Sequence, residues 1–314
     1  MALYYLLLFY VGTFIGSFLN LVSDRIVRNE KIFLSRSKCE SCGMLLKPRH
    51  LVPLFSFIFQ KGKCTNCKTK LSYLYPFSEA ITGLALAYSA YRAQFFYAYI
   101  RPENTILFFY FFIVFCFFIV LFLTDLKFQL IPNVIVYSAI VFIASFILIS
   151  QVYSLMGVHN KLVADEIGQF LIQGGYMQIP LRHVFKNITI LLVSSVLITG
   201  FFQFLVYITR GKGMGGGDVK LALLIGLFNG FPIDSAFFRT RSFMFFDFED
   251  ILQNILAVFL GFLFGAGFSA VLMLLGKKKM KDTIAFGPFL IIGSVVALLW
   301  GKVLIRAYLS LNFG

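Results

Sequence analysis

The sequence predicts an all-α polytopic membrane protein with about eight transmembrane helices and a small four-cysteine domain inserted after the first helix. Three observations lead to this fold class. Hydrophobic residues make up 59% of the 314 residues and charged residues only 13%, a composition far from that of ordinary soluble domains. The apolar residues are gathered into runs of about 20, the length that crosses a bilayer as a helix. Four of the five cysteines lie together in one polar block.

The first apolar run covers residues 2–22 and contains the small and polar residues of "GTFIGSFLN". Small residues let helices pack closely inside a membrane. A secretory signal peptide would carry a basic segment before its apolar run, and this run has none. We therefore predict that residues 1–22 form a retained first transmembrane helix.

The block that follows, residues 23–75, is polar and basic. It holds eleven of the 28 Lys and Arg residues against only three acids. Because cytoplasmic loops carry an excess of Lys and Arg, this block is predicted to lie in the cytoplasm. The chain thus divides into a first helix at 1–22, a cytoplasmic domain at 23–75 and a transmembrane domain at 76–314.

Two Cys-x-x-Cys pairs lie in the cytoplasmic block, Cys39 with Cys42 and Cys64 with Cys67. Two such pairs are typical of a zinc-ribbon-like domain with four thiolate ligands, and four ligands close the coordination shell, so the predicted Zn²⁺ is structural. Two disulfides are the alternative, and a cytoplasmic location argues against them. Nucleic acid is not expected as a partner, because the membrane topology already explains the basic charge.

Seven further membrane segments are predicted between residue 76 and the end of the chain. If the N terminus lies outside, the segments alternate so that residues 24–75, 125–132, 210–217 and 277–282 lie on the cytoplasmic side. The long loops 154–186 and 231–252 then face the other side, and we assign no chemistry to them. The predicted segments are 76–99, 105–124, 133–153, 187–209, 218–230, 253–276 and 284–305.

Two acids stand at the ends of apolar segments, Asp125 in "LFLTDLKFQLIPN" and Asp218 in "RGKGMGGGDVKL". An ionisable side chain at the edge of the hydrocarbon is costly and marks a candidate functional site. The alternative is that each Asp caps a helix or is solvated at the interface. If the two carboxyl groups meet, they share a proton. One can then activate water while the other hydrogen-bonds a peptide carbonyl.

The residues around Asp218 support this hypothesis. Gly215 and Gly217 allow backbone to approach a substrate strand closely. Lys220 lies two residues after the acid and has two possible roles. It could tune the pKa of the acid, or it could extend its ammonium group to the lipid interface.

The chain resembles the type IV prepilin peptidases, membrane aspartyl proteases of the GxGD group, from end to end. The motifs that carry the resemblance are "GSFLN", the paired CxxC motifs, "YPFSE", "DLKFQLIPN", "GMGGGDVKL" and "FGPFL". The resemblance implies that Asp125 and Asp218 are the catalytic pair. It also implies that the substrates are type IV prepilins or pilin-like pseudopilins, which lose a short basic leader at the cytoplasmic face of the bacterial inner membrane.

Larger members of that family are similar in carrying a second activity, methylation of the new N terminus with S-adenosylmethionine as donor. Glu79 is a weak candidate for binding the substrate amine or the cofactor, and ordinary helix-dipole stabilisation is its alternative role. Leu74 stands where the family commonly has Arg, so a peptidase without methyl transfer is a second interpretation. An ion-coupled transporter and a non-enzymatic pilin-assembly protein are alternatives from other classes.

Overall fold

The computed structural model describes residues 2–32, 37–39, 41–96, 102–211, 214–231, 248–276 and 284–313, with the backbone alone at 248–250, 312 and 313. Over these ranges the chain forms ten α-helices, one short 3-10 helix and two isolated β-bridges, without strands. The α-helices are α1 Ala2–Val27, α2 Phe55–Phe59, α3 Leu74–Arg92, α4 Pro102–Phe128, α5 Asn133–Val163, α6 Glu166–Gln173, α7 Gln178–Thr209, α8 Gly216–Asn229, α9 Phe248–Leu274 and α10 Gly287–Phe313.

Six of the described helices, α1, α4, α5, α7, α9 and α10, are long and apolar enough to cross a membrane. The all-α membrane prediction is therefore confirmed, whereas the count of eight spans is not. Helix α8 has 14 residues and is about 21 Å long at 1.5 Å per residue, shorter than the roughly 30 Å hydrocarbon core. Helix α3 has 19 residues and carries polar side chains, among them Ser78 and Glu79.

Helices also enter the loop predicted at 154–186. Helix α5 continues to Val163 and α7 begins at Gln178, and α6 contains most of the residues between them. The second predicted loop, 231–252, lies largely outside the described residues, because 232–247 are not among them.

The chain folds as two compact units, Met1–Pro132 and Asn133–Gly314. In unit 1, α1 packs against α3 with their backbones in contact. A Cβ atom added at Gly12 would lie 2.7 Å from the Cα of Gly83, and one added at Gly16 would lie 2.7 Å from the Cα of Glu79. Only glycine allows this approach. The amide of Asn20 donates to the Ser78 hydroxyl one turn further along α1.

In unit 2, α8 packs against α5, α7, α9 and α10. Most of its residues are buried, as expected for a 14-residue apolar helix that serves as a core element. Hydrogen bonds hold α8 in place. The side-chain amide of Asn254 donates to the Gly226 carbonyl at 3.1 Å, and the side-chain amide of Asn229 donates to the Ser294 hydroxyl at 2.7 Å. The division at 1–22, 23–75 and 76–314 stays a prediction.

Candidate functional site

The four cysteines of unit 1 meet in one cluster. Their Sγ atoms all lie within 4.8 Å of one another. The two pairs form matching turns, since the Cys39 N–H donates to the Met44 carbonyl and the Cys64 N–H donates to the Thr69 carbonyl, both at 2.9 Å. Short β-bridges close both turns, Lys38 with Leu45 and Lys63 with Lys70. We call the segment from Ser37 to Lys70 the cysteine module.

The cluster fits a tetrahedral metal ion. The Sγ atoms of Cys39 and Cys67 are 3.9 Å apart, and a tetrahedron with Zn–S bonds of about 2.3 Å has edges of about 3.8 Å. The Thr69 hydroxyl lies 3.2 Å from the Cys67 sulfur. Hydrogen bonding from Thr69 lowers the pKa of the Cys67 thiol to about 6, which favours the thiolate form that binds metals. A four-cysteine site that could hold zinc is therefore present.

A cavity of about 380 Å³ lies between the cysteine module, the end of α1 and the start of α3. Glu79 is buried at this cavity, and its Oε2 accepts a hydrogen bond of 2.8 Å from the Leu54 N–H. Leu54 has φ 60°, in the left-handed region that favours glycine. The contact with Glu79 thus fixes the strained backbone just before α2.

Asp125 is buried in the last turn of α4. The helix continues to Phe128, so the acid lies inside the helix end rather than after it. The chain then turns at Gln129, whose φ is 50° and whose N–H donates to the Asp125 carbonyl at 2.8 Å. Helix α5 begins four residues later, directly after Pro132, in agreement with the break expected at a proline.

Lys127, two residues after Asp125, is held by polar groups of α1. Its Nζ donates to Asp24 Oδ1 at 2.9 Å and to the Ser23 hydroxyl at 3.4 Å. It also lies 5.4 Å from the ring centroid of Tyr75, within the range of a cation–π contact. Side chains at i and i+2 point to different sides of a helix, so Lys127 anchors one side of α4 while Asp125 lies on another.

Sequence reasoning missed Lys127. Its role could have been predicted from Asn20 and Asp24, two polar residues one turn apart at the end of an apolar helix. An acid at that position is costly without a cationic partner. The Asn20 side-chain oxygen lies 3.5 Å from the Lys127 Nζ.

Asp218 is buried in the first turn of α8. Its Oδ2 accepts a hydrogen bond of 3.1 Å from the N–H of Gly215, the residue that precedes the helix. The carboxylate therefore does cap its helix, as the alternative interpretation expected. Because this bond engages Oδ2 and a carboxylate has a second oxygen, capping does not exclude a chemical role.

The glycine-rich segment before Asp218 is open. Gly211 has φ 73° and ends the turn after α7. A Cβ atom added at Gly216 would have nothing within 4 Å, and one added at Gly215 would have its nearest neighbour, the Gly217 nitrogen, at 3.9 Å. Gly213, in the same motif, lies outside the described residues. Gly215 and Gly216 leave room for another backbone to approach.

Lys220, two residues after Asp218, contacts α5. Its Nζ donates to Asn133 Oδ1 at 2.7 Å and lies 5.4 Å from the ring centroid of Tyr137. Each acid is thus part of an Asp-x-Lys motif whose lysine is held by a polar side chain and a tyrosine ring of another segment. Asp125 belongs to unit 1 and Asp218 to unit 2, and their pairing stays a prediction.

Two family models match the chain. The bacterial peptidase A24 N-terminal domain matches residues 10–93, and the type IV leader peptidase family matches residues 112–270. No solved structure matches.

Several relatives are named prepilin leader peptidase/N-methyltransferase. The protein from Bacillus subtilis is 28% identical over 308 residues, which covers 98% of this chain and 99% of that protein. The one from Pseudomonas aeruginosa is 25% identical over 327 residues, covering 96% and 91%. The one from Vibrio cholerae is 29% identical over 233 residues, covering 71% and 76%. Since the second family model spans half of the chain and includes both Asp-x-Lys motifs, the chain belongs to the type IV leader peptidase family.

Proposed function

We propose that this protein is a membrane aspartyl endopeptidase that removes the short basic leader of type IV prepilins or pilin-like pseudopilins. Cleavage takes place at the cytoplasmic face of the inner membrane, with Asp125 and Asp218 as the catalytic pair. The observation that carries the proposal is the placement of a buried carboxylate at one end of a helix in each Asp-x-Lys motif, inside the region that matches the family.

The proposed chemistry needs the two carboxyl groups to share one proton. Two acids in a poorly solvated site do not both ionise readily, so one is a carboxylate and the other a carboxylic acid. The carboxylate takes a proton from the attacking water, and the acid donates a hydrogen bond to the peptide carbonyl oxygen. Water adds to the carbonyl carbon, and the peptide C–N bond then breaks as the leaving amine takes up the proton that the carboxylate received from water, so no covalent intermediate with the enzyme forms. Gly215 and Gly217 leave room for the extended backbone at the scissile bond.

The two lysines act on helix position in this proposal. Lys127 ties α4 to α1 through Asp24, and Lys220 ties α8 to the start of α5 through Asn133. Both contacts lie two residues from a catalytic acid. They hold each helix against rotation, which keeps its carboxyl group at a fixed angle for a reaction that depends on geometry.

The cysteine module is proposed to hold a structural Zn²⁺ through Cys39, Cys42, Cys64 and Cys67. Four thiolates leave no open coordination position, so the ion stabilises the fold of the module rather than activating water. The two matching turns and the 3.9 Å separation of the Cys39 and Cys67 sulfurs support this assignment.

We propose that methylation of the new N terminus follows cleavage and takes place at the cavity beside Glu79. S-Adenosylmethionine would supply the methyl group. The volume of about 380 Å³ lies within the range of about 300–1,000 Å³ typical of small-molecule sites. The buried carboxylate of Glu79 offers a negative charge to an ammonium or sulfonium group. A peptidase without this second activity is the alternative.

The test is cleavage of a prepilin-like substrate by purified protein in lipid, with mass spectrometry of the product N terminus. Asp125→Asn and Asp218→Asn should each bind substrate and lose cleavage by at least about 100-fold, the scale of acid–base catalysis. Asp165→Asn changes an exposed acid between α5 and α6 and should cleave normally. Normal cleavage by either of the first two variants would contradict the proposal.

The same experiment tests the second activity. Wild-type product should be about 14 mass units heavier than the unmethylated peptide, because a methyl group replaces one hydrogen of the terminal amine, whose pKa of about 8 leaves a nucleophilic fraction unprotonated. Glu79→Gln should cleave but lose this methyl group. If cleavage is complete in the presence of S-adenosylmethionine and the wild-type product carries no methyl group, the protein is a peptidase without methyltransferase activity.

A further inference from the structure

Helix α2 of the cysteine module has an exposed apolar face. Phe55, Ile58 and Phe59 stand at positions i, i+3 and i+4, so they lie on the same side of the helix. Their exposed fractions are 47%, 67% and 82%. On another side, Ser56 and Gln60 line the cavity beside Glu79. The short helix is therefore amphipathic, with an exposed apolar side.

The position of α2 places this apolar face beside a membrane-spanning helix. The Phe55 ring lies 6.1 Å from the ring of Tyr10 on α1, and the Tyr10 ring in turn contacts Phe14 at 5.2 Å. Tyr10 precedes the end of α1 at Val27 by about 25 Å along the axis at 1.5 Å per residue. Helix α2 thus lies alongside the apolar body of α1 rather than beyond its end.

Basic residues follow α2 directly. Lys61 and Lys63 are exposed, as are Lys68 and Arg49 of the same module. Aromatic side chains on one side and basic residues at the rim are typical of elements that lie in the membrane interface. Lys and Arg near the surface are attracted by anionic head groups.

We infer that α2 is a lipid anchor of the cysteine module. The face formed by Phe55, Ile58 and Phe59 inserts among the acyl chains, continuing the apolar face of α1 that includes Tyr10 and Phe14. Lys61 and Lys63 extend their ammonium groups toward anionic head groups. Through the bond from the Leu54 N–H to Glu79, this anchor holds the cavity at the membrane surface. The inference does not depend on the proposed catalytic function.

Tryptophan fluorescence tests the anchor in the full-length protein. The chain has one tryptophan, so Trp300→Phe provides a silent background. Phe59→Trp is then compared with Leu45→Trp, whose site is 55% exposed but lies on the first cysteine turn. Both variants are reconstituted into vesicles of phosphatidylcholine and phosphatidylglycerol, with or without bromine on the acyl chains.

The tryptophan at position 59 should emit at shorter wavelength than the one at position 45. Brominated acyl chains should quench it by about twofold or more, because the apolar face of a lipid anchor lies among the acyl chains. Acrylamide in water should quench only position 45. Ile58→Trp gives a second reporter on the same face if Phe59→Trp fails to fold, and retained metal content reports folding of the module.

Two other results would overturn the anchor. Long-wavelength emission with strong acrylamide quenching at positions 58 and 59 means that the face is in water. Short-wavelength emission without bromine quenching means that protein covers it, such as a second copy of this chain.

Discussion

The two Asp-x-Lys motifs share one sequence pattern, but their lysines bind different partners. In unit 1 the lysine forms an ion pair with Asp24 at 2.9 Å, close to the Tyr75 ring. In unit 2 Lys220 donates to the neutral amide oxygen of Asn133 at 2.7 Å. Unit 1 also contains the cysteine cluster, whereas the start of α8 depends on glycines and a capping bond. Within the described residues, unit 1 therefore adds an ion pair and a four-cysteine cluster to its helix packing, whereas unit 2 relies on neutral hydrogen bonds and packing.

Removal of the proposed zinc ion should distinguish the two units more clearly than any other change. Structural zinc contributes about 10–16 kcal/mol to the folding of small metal-binding peptides, and nothing comparable supports unit 2 within the described residues. A zinc chelator should greatly increase amide hydrogen exchange between Ser37 and Lys70 and leave Gly216–Asn229 protected. The measurement is hydrogen exchange followed by mass spectrometry. Equal exchange in both regions would show that the module does not depend on metal.

Loss of the ion pair between Lys127 and Asp24 should have the second-largest effect. Lys127→Met leaves the largely buried carboxylate of Asp24 without its ion pair. Loss of an ion pair costs little stability at the protein surface and much more in the interior, and the Lys127–Asp24 pair is partly buried. We therefore expect the unfolding free energy to fall by about 1–3 kcal/mol. The measurement is denaturant unfolding in lipid nanodiscs.

A double-mutant cycle provides the control for Lys127. Asp24→Asn with Lys127→Met removes both charges and should recover part of the loss, because no unpaired charge remains. If the double variant loses the sum of the two single losses, the ion pair does not stabilise the protein.

Loss of the hydrogen bond between Lys220 and Asn133 should lower the unfolding free energy by less. Lys220→Met leaves a single amide oxygen of Asn133 that water can reach, and we expect a loss of about 0.5–1.5 kcal/mol. A positioning role predicts that kcat falls while KM for the prepilin stays constant, since the helix that carries Asp218 turns without losing substrate contacts. Lys220→Arg should restore part of kcat. A rise in KM alone would assign Lys220 to substrate binding.

The smallest effect should come from glycine substitution in unit 2. Gly216 has a helical conformation and open space around its missing Cβ, so Gly216→Ala should leave stability unchanged or raise it by up to about 1 kcal/mol. Cleavage should stay within about twofold of wild type, because the proposed room for the substrate backbone lies at Gly215 and Gly217.

A tightly packed glycine of unit 1 gives the contrast. Gly12→Ala would place its Cβ 2.7 Å from the Gly83 Cα, and we expect it to destabilise by about 1–3 kcal/mol through overpacking. Similar stabilities of the Gly12→Ala and Gly216→Ala proteins would contradict the difference in packing.

Local features of the site were predictable from the chain alone. Two CxxC pairs build the same turn twice, so their spacing already indicates one four-thiolate cluster, and the structure confirms that the four sulfurs meet. The acids could be found because a carboxylate at the end of an apolar run is costly and therefore conspicuous. The eight-span count was not confirmed, because apolarity does not distinguish a lipid-facing helix from a core helix such as α8.

The sequence by itself determined the membrane class, the cysteine cluster and the two acid-bearing motifs, because each depends on composition or on residues close together in the chain. Tertiary structure alone decided the anchors of the two lysines, the cavity at Glu79 and the place of α2 against α1. Lys127 and Asp24 are 103 residues apart, and Lys220 and Asn133 are 87 apart. Such pairs form only when helix packing sets the height and rotation of each helix, and no local pattern contains that information.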